Sequence, residues 1–319
     1  MSQTLINNRY EIIQTLGVGG MSAVFEAQDR QLERRVALKV LRVGDSLQSG
    51  PSEEKSKIER FFKREARALA KLSHPSIPQV YDYSDDHHDP AYIALELIDG
   101  MTLDSLIHQD KLLPLPLILG ILLRVAEALT HAHAAGLMHR DIKPENIMVT
   151  RDGRTVLMDF GMTLGINADI LGKTVAGGQS GIFGSLDFLS PEQIADQEVG
   201  LPSDIFSFGT LTYLLTTGRS AFKHKNPADI LRSILNVSYA SAANHRTDIP
   251  GGLQQLIERC LTRAPEHRMR AQDISQTLEA AITQHWKTTP EQQVSHWLQT
   301  EYATDLANTS SPHMTDTGE

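Results

Sequence analysis

Apolar and polar positions alternate in short runs through the first hundred residues, then shift to a helical period. Residues 10–16 and 22–28 read as two strands around a glycine turn, and residues 35–41 as a third. Residues 44–57 are polar, contain Gly50-Pro51 and several Ser, and are predicted as a loop. The spacing of Phe61, Phe62, Ala66 and Leu69 then predicts a helix over 58–72. Two more strands, over 80–83 and 92–98, complete a small sheet that carries this one long helix. From Leu103 onward, helices are predicted over 103–108, 117–135, 203–217, 227–235, 253–262 and 271–285. Short strands interrupt them near 147–149 and 156–158, and no internal repeat is visible. Beyond Pro290, the residues Val294, Trp297, Leu298, Tyr302 and Leu306 lie near one helical face, which predicts a helix packed on the helical region. Residues 308–319 are rich in Ser, Thr and acidic groups, lack apolar periodicity, and are expected to be disordered.

Composition narrows the function classes. The chain has 319 residues, 40% hydrophobic and 22% charged, ordinary values for a folded domain with a substantial core. Its formal net charge of -9 disfavours a nucleic-acid partner held by phosphate contacts. A single cysteine, Cys260, excludes an internal disulfide and reads as a small core residue, so the chain suits a reducing compartment. The N-terminus lacks the basic and apolar regions of a signal peptide. The greasiest stretch, residues 112–123, holds Pro114, Pro116 and Gly120 and is shorter than the roughly 20 residues a bilayer span needs. It reads as a buried helix entry, and a cytoplasmic location with no membrane partner is expected.

The candidate chemistry begins at Leu16-Gly17-Val18-Gly19-Gly20-Met21-Ser22-Ala23-Val24, a glycine loop between two strands. Glycines there let backbone N–H groups approach phosphate oxygens without a Cβ in the way. No Gly-Lys-Ser/Thr closes the loop, so it is not of the Walker type. Lys39 follows on the strand Val36-Ala37-Leu38-Lys39, and an ammonium among apolar neighbours must face an anion or stay hydrated. Glu65, on the next helix, is a candidate to pair with it. The most specific segment is His139-Arg140-Asp141-Ile142-Lys143-Pro144-Glu145-Asn146, followed by Asp159-Phe160-Gly161. Asp141 can accept the proton of an incoming hydroxyl. Asn146 and Asp159 supply hard oxygens suited to Mg²⁺ bridging ATP phosphates, and Lys143 can hold a migrating phosphoryl group.

These residues resemble the protein kinase family over roughly residues 10–285. The matching elements are the glycine loop, Val-Ala-Leu-Lys, His-Arg-Asp, Asp-Phe-Gly and Ser190-Pro191-Glu192, where the family usually has Ala-Pro-Glu. Gly-Gly-Met-Ser in the loop, with Ser22 at the third glycine's place, looks like the bacterial Hanks-type serine/threonine branch, as does Ser-Pro-Glu-Gln. The resemblance implies an α+β, bilobal fold. Its N-lobe over 1–99 is an antiparallel sheet plus one helix, its C-lobe over 100–287 is mainly helical, and 288–319 form a tail. It further implies that Lys39 contacts the ATP phosphates and is oriented by Glu65, that Asp141 is the base, and that Lys143 stabilises the transferred group. Asn146 and Asp159 would bind Mg²⁺, or Mn²⁺ in its place. The strand before Gly100 resembles the hinge, with Leu95 as gatekeeper and backbone groups of Glu96 and Ile98 reading the adenine edge. Leu16, Val24, Ala37 and Met148 would sandwich the ring. Asp204 and Arg268 match structural positions, the latter pairing with Glu192.

Lys143 and Ser185 point to Ser/Thr hydroxyls of protein substrates as acceptors. Arg140 beside Asp141 suggests control by phosphate on the segment 161–184, where Thr163, Thr174 and Ser180 are candidates and autophosphorylation is expected at Thr174 or Ser180. Two alternatives have the same fold: a pseudokinase scaffold, and a small-molecule phosphotransferase. Physiological substrates, the activating signal and the oligomeric state are not legible in the sequence.

Overall fold

The structure is a computed structural model and describes residues 4–19, 22–42, 52–84, 90–107, 112–160, 186–285 and 289–301. Its N-terminal part is a six-stranded antiparallel sheet: β1 (Leu5–Ile6), β2 (Tyr10–Val18), β3 (Ser22–Asp29), β4 (Arg34–Leu41), β5 (Val80–Tyr83) and β6 (Tyr92–Glu96), in the order β1-β2-β3-β4-β6-β5. Helix α1 (Ser52–Leu69) connects β4 to β5. It starts six residues before the expected position, inside the segment read as a loop. Ser52-Glu53-Glu54 there is a helix-start composition, because acidic groups favour the positive end of the helix dipole.

Strand register decides which side chains face the site. Cα pairs Val24↔Lys39, Lys39↔Ile93 and Ala37↔Leu95 put Val24, Ala37, Lys39, Ile93 and Leu95 on one face of the pleat. That face packs toward Phe62, Ala66 and Leu69 of α1. Leu38, Val40, Val36, Tyr92 and Ala94 point the other way and form a separate cluster with Tyr10 and Ala27. A one-residue slip would exchange the two sets.

The C-terminal part is helical around a three-stranded sheet, β7 (Gly100–Thr102), β8 (Ile147–Thr150) and β9 (Thr155–Leu157). Its helices are α2 (Leu103–Leu106), α3 (Leu115–Ala134), α4 (Pro191–Ile194), α5 (Leu201–Thr217), α6 (Pro227–Leu235), α7 (Gly251–Cys260), α8 (Ala271–His285) and α9 (Pro290–Glu301). Helix α3 is long and apolar enough to cross a bilayer, but most of it is buried, packed on α5, α8, α9 and β9. It is the core helix on which the C-terminal part is assembled. Gly209 permits the close approach of α5 and α7: a Cβ there would lie 2.7 Å from Cβ of Cys260. Cys260 itself is fully buried, and burial pushes its thiol up to about 12, the behaviour of an inert core residue. The segment 308–319 lies outside the described residues, as do Tyr302 and Leu306.

Candidate active site

The catalytic-loop candidates are set by a buried carboxylate beneath them. Asp204, in the first turn of α5, is buried; its two oxygens accept the backbone N–H groups of His139 and Arg140, each at 2.8 Å. His133 Nε2 lies 2.8 Å from the same carboxylate. Burial opposes ionisation of Asp204, but the bond from His133 and the backbone N–H of His139 outweigh it and hold its pKa below the usual range. These bonds keep Arg140 at φ 72°, left-handed backbone that a non-glycine residue adopts only under constraint.

His139 is buried and its edge meets the Phe160 ring at 4.6 Å between centroids. Burial lowers its pKa, so the imidazole is neutral. Nε2–H donates to the Met158 carbonyl at 2.6 Å, and Nδ1 accepts the Asp141 N–H at 3.2 Å. One neutral tautomer satisfies both bonds and ties the Asp141 backbone to the strand leading to Asp159.

Asp141 is surrounded by donors. Its Oδ2 lies 2.8 Å from Lys143 Nζ and accepts from Asn146 Nδ2 at 2.8 Å, while its carbonyl accepts from the same amide at 2.7 Å. Asn146 therefore keeps its carboxamide oxygen as an acceptor for another group. Across the lobes, Lys39 Nζ pairs with Asp159 Oδ1 at 2.7 Å. Burial works to raise the Asp159 pKa, but Lys39, by its charge and its hydrogen bond, and Lys143 more than offset it, and the carboxylate stays ionised. Asp159 also has a left-handed backbone, φ 58°. An ionised carboxylate and a carboxamide oxygen form a hard-oxygen donor set, which fits Mg²⁺ or Mn²⁺.

Glu65 does not pair with Lys39. Its Oε1 meets Arg140 Nη1 at 3.3 Å, and its Oε2 is buried without a hydrogen-bond partner. Burial raises its pKa to about 7 against the pull of Arg140 and Arg64. The expected Lys39–Glu65 pair is thus corrected to two other pairs, Lys39–Asp159 and Glu65–Arg140. Lys39 is the partner that Asp159 can reach, whereas α1 presents Glu65 to Arg140, whose guanidinium also lies 5.4 Å from the Phe61 ring.

Above these groups, the glycine loop closes through Gly19 N–H to the Ser22 carbonyl at 2.8 Å, after a bulge between Thr15 and Gly17. Gly20 and Met21 lie outside the described residues. Leu16 and Val18 are large apolar side chains left exposed, at 48% and 63%. Ala37, Leu95 and Ile98 are buried; Val24 and Met148 are half-buried. At the hinge, Glu96 N–H is already engaged by the Gln79 carbonyl at 2.8 Å, so its backbone offers only the C=O. Glu192 and Arg268 form the expected buried pair, bidentate at 2.7 and 2.9 Å, with Ser203 Oγ donating to Glu192 at 2.5 Å. Thr163, Thr174, Ser180 and Ser185 lie outside the described residues.

The sequence alone did not single out His133 or Arg154. Arg154 lies on the β8–β9 turn and binds the Glu96 carboxylate with Nη1 at 2.5 Å and Nη2 at 3.0 Å. Glu96 and Arg154 are far apart in the chain, and no motif spacing connects them.

Comparison with known proteins shows the family. The protein kinase domain matches residues 10–278. The chain belongs to the protein kinase family. A probable serine/threonine-protein kinase of Streptomyces coelicolor is 35% identical over 277 residues, covering 84% of this chain and 39% of that protein. Serine/threonine-protein kinase PrkC of Bacillus subtilis is 31% identical over 278 residues, 87% of this chain and 41% of PrkC. Serine/threonine-protein kinase PknL of Mycobacterium tuberculosis is 33% identical over 268 residues, 84% of this chain and 64% of PknL. This kinase chain therefore spans about two fifths of the length of the first two relatives and under two thirds of the third.

Proposed function

We propose that the chain transfers the γ-phosphate of ATP to Ser and Thr hydroxyls of proteins. The observation that carries this reading is the single bonded group formed by Asp141, Lys143 and Asn146, with the Asp159 carboxylate paired to Lys39 at 2.7 Å. In this reading Asp141 accepts the acceptor's proton through Oδ1 or Oδ2 while Asn146 and Lys143 fix the carboxylate. Lys143 then balances negative charge as the phosphoryl group moves. The Asn146 and Asp159 oxygens would hold Mg²⁺, which supplies charge neutralisation to the ATP phosphates when bound.

Leu16, Val18 and Val24 would cover one face of the adenine and Met148 the other, with Ala37 and Leu95 behind it. The Glu96 carbonyl and the Ile98 N–H would pair with the ring edge. Gly17, Gly19, Gly20, Met21 and Ser22 would cradle the phosphates. Lys39 must then leave Asp159 for the phosphates, and Glu65 must leave Arg140 to orient it. Arg140 freed in that exchange becomes a partner for a phosphate on the 161–184 segment. A cytoplasmic setting belongs to this reading, since the one cysteine, buried Cys260, can form no internal disulfide.

Mass spectrometry of the purified chain after incubation with Mg-ATP tests the reading. It predicts new phosphate on Ser or Thr, at Thr174 or Ser180 first, and none when ATP is omitted. Phosphate on Tyr alone, or none on the chain or on added protein substrates, contradicts it.

A further inference from the structure

Arg154 joins the two lobes at the hinge. Its backbone belongs to the β8–β9 turn, where its carbonyl accepts the Thr150 N–H at 2.9 Å. Its side chain reaches into the N-terminal part: besides Glu96, Nε donates to the Pro75 carbonyl at 2.6 Å. Nearby, the Leu157 N–H donates to the Ser76 carbonyl at 2.9 Å, a second stitch between the same segments. A bidentate guanidinium–carboxylate pair fixes orientation as well as distance. The other Glu96 contact, Gln79 N–H to Oε2 at 3.3 Å, is longer. Arg154 also holds the Glu96 carboxylate below its usual pKa, so the pair is ionised. A cavity of about 330 Å³ between hinge and turn is lined by Ile98, Asp99, Thr150 and Arg154.

The opposite side of this four-residue turn is covered by α9. Gly153 has φ 88°, and a Cβ added there would lie 2.0 Å from the Glu291 carbonyl oxygen, so turn and helix are in direct backbone contact. Ser295 Oγ donates to the Arg151 carbonyl at 2.9 Å. The helix is itself anchored: Val294 and Leu298 are buried, and Glu291 accepts from Arg124 Nε of α3 at 2.5 Å. The turn is therefore clamped between the hinge carboxylate and a helix that lies beyond the matched kinase domain, which ends at residue 278.

We propose that Arg154 is a positioning residue for the adenine-reading edge of the hinge, and that α9 sets its position through the β8–β9 turn. The inference rests on the ATP-binding reading above and adds to it a determinant of nucleotide affinity outside the pocket. The contacts of α9 with Gly153 and Arg151 make the turn its direct route to Arg154. The coupling between α9 and Arg154 is measured by a double-mutant cycle.

The test uses the full chain and two readouts: KM and kcat for phosphate transfer, and Kd for ATP by direct titration. R154A is expected to raise KM and Kd for ATP about 10-fold, an ordinary size for coupling between sites, with kcat within about threefold. R154K, which keeps the charge without the bidentate fork, is expected to fall between the two. V294D, which undocks α9, and the milder S295A are expected to move Kd in the same direction. R154A with V294D together should bind ATP no more weakly than R154A alone. A Kd unchanged in R154A overturns the role of Arg154. Effects of R154A and V294D that multiply overturn the path from α9, as does an S295A Kd equal to wild type together with a V294D Kd equal to wild type. Wild-type chain that binds ATP but transfers no phosphate would sink the kinase reading while the titrations still decide this inference.

Discussion

Glu65 is the residue whose state differs most from what its place in the sequence suggests. It is buried, half-satisfied, and held by Arg140 rather than Lys39. Its pKa in the fold, about 7, exceeds its ordinary value, so the folded chain keeps a proton that the unfolded chain releases. The stability this group contributes is full below about pH 4.5 and is lost as pH rises through about 7. The slope is at most about 1.4 kcal/mol per pH unit. E65Q, which cannot titrate, is predicted to remove that slope: the difference in thermal midpoint between variant and wild type should grow in the variant's favour from pH 5 to 8. An unchanged difference across that range would mean Glu65 titrates normally. Legibility in the sequence divides at this residue. Lys39, Asp141, Asn146 and Asp159 could be named because each chemical role demands its residue type at its spacing. Which partner Glu65 takes could not, because that depends on where α1 sits against the sheet, a tertiary quantity that no local spacing encodes.

The Glu192–Arg268 pair shows the opposite case at the same scale. Both side chains are almost fully buried and paired through two bonds. Removing one leaves an uncompensated buried charge, so R268A is predicted to cost about 3–5 kcal/mol in a urea unfolding titration. A loss under about 1 kcal/mol would show that the guanidinium is replaced by solvent.

Among the elements, β3, β4 and β6 fall where expected; β4 and β6 are nearly continuous apolar runs because both of their faces are buried. The two-residue β1 and three-residue β7 are too short to carry a period and are fixed only by pairing with β2 and β8. Helix α4 was also missed as an element, although Ser190 and Gln193 make a capping box: Gln193 N–H donates to Ser190 Oγ at 3.4 Å and Gln193 Oε1 accepts the Ser190 N–H at 2.8 Å. S190A is predicted to lose about 1 kcal/mol in the same titration. Because Gln193 also reaches the Arg140 carbonyl at 3.5 Å, the variant is expected to lower transfer activity as well. Full activity in S190A would separate this cap from the catalytic loop. Helix α9 was anticipated from its apolar face, but its seat on α3 and the β8–β9 turn was not, because Gly120, Gly153 and Arg124 carry no pattern pointing to it.

For the whole molecule, the two lobes are joined at points with different duties. Arg154 ties the turn to the hinge through side chains that no motif predicts. Lys39 with Asp159, and Glu65 with Arg140, join the lobes through groups that transfer itself would have to re-pair. The most direct measurement is incorporation of labelled γ-phosphate from Mg-ATP into the chain and a generic protein substrate, with D141N beside it. Label is expected on Ser and Thr in wild type, with a fall of at least about a hundredfold in D141N, the scale of losing a general base. Equal label in both proteins, or none in wild type that still binds ATP, would contradict it.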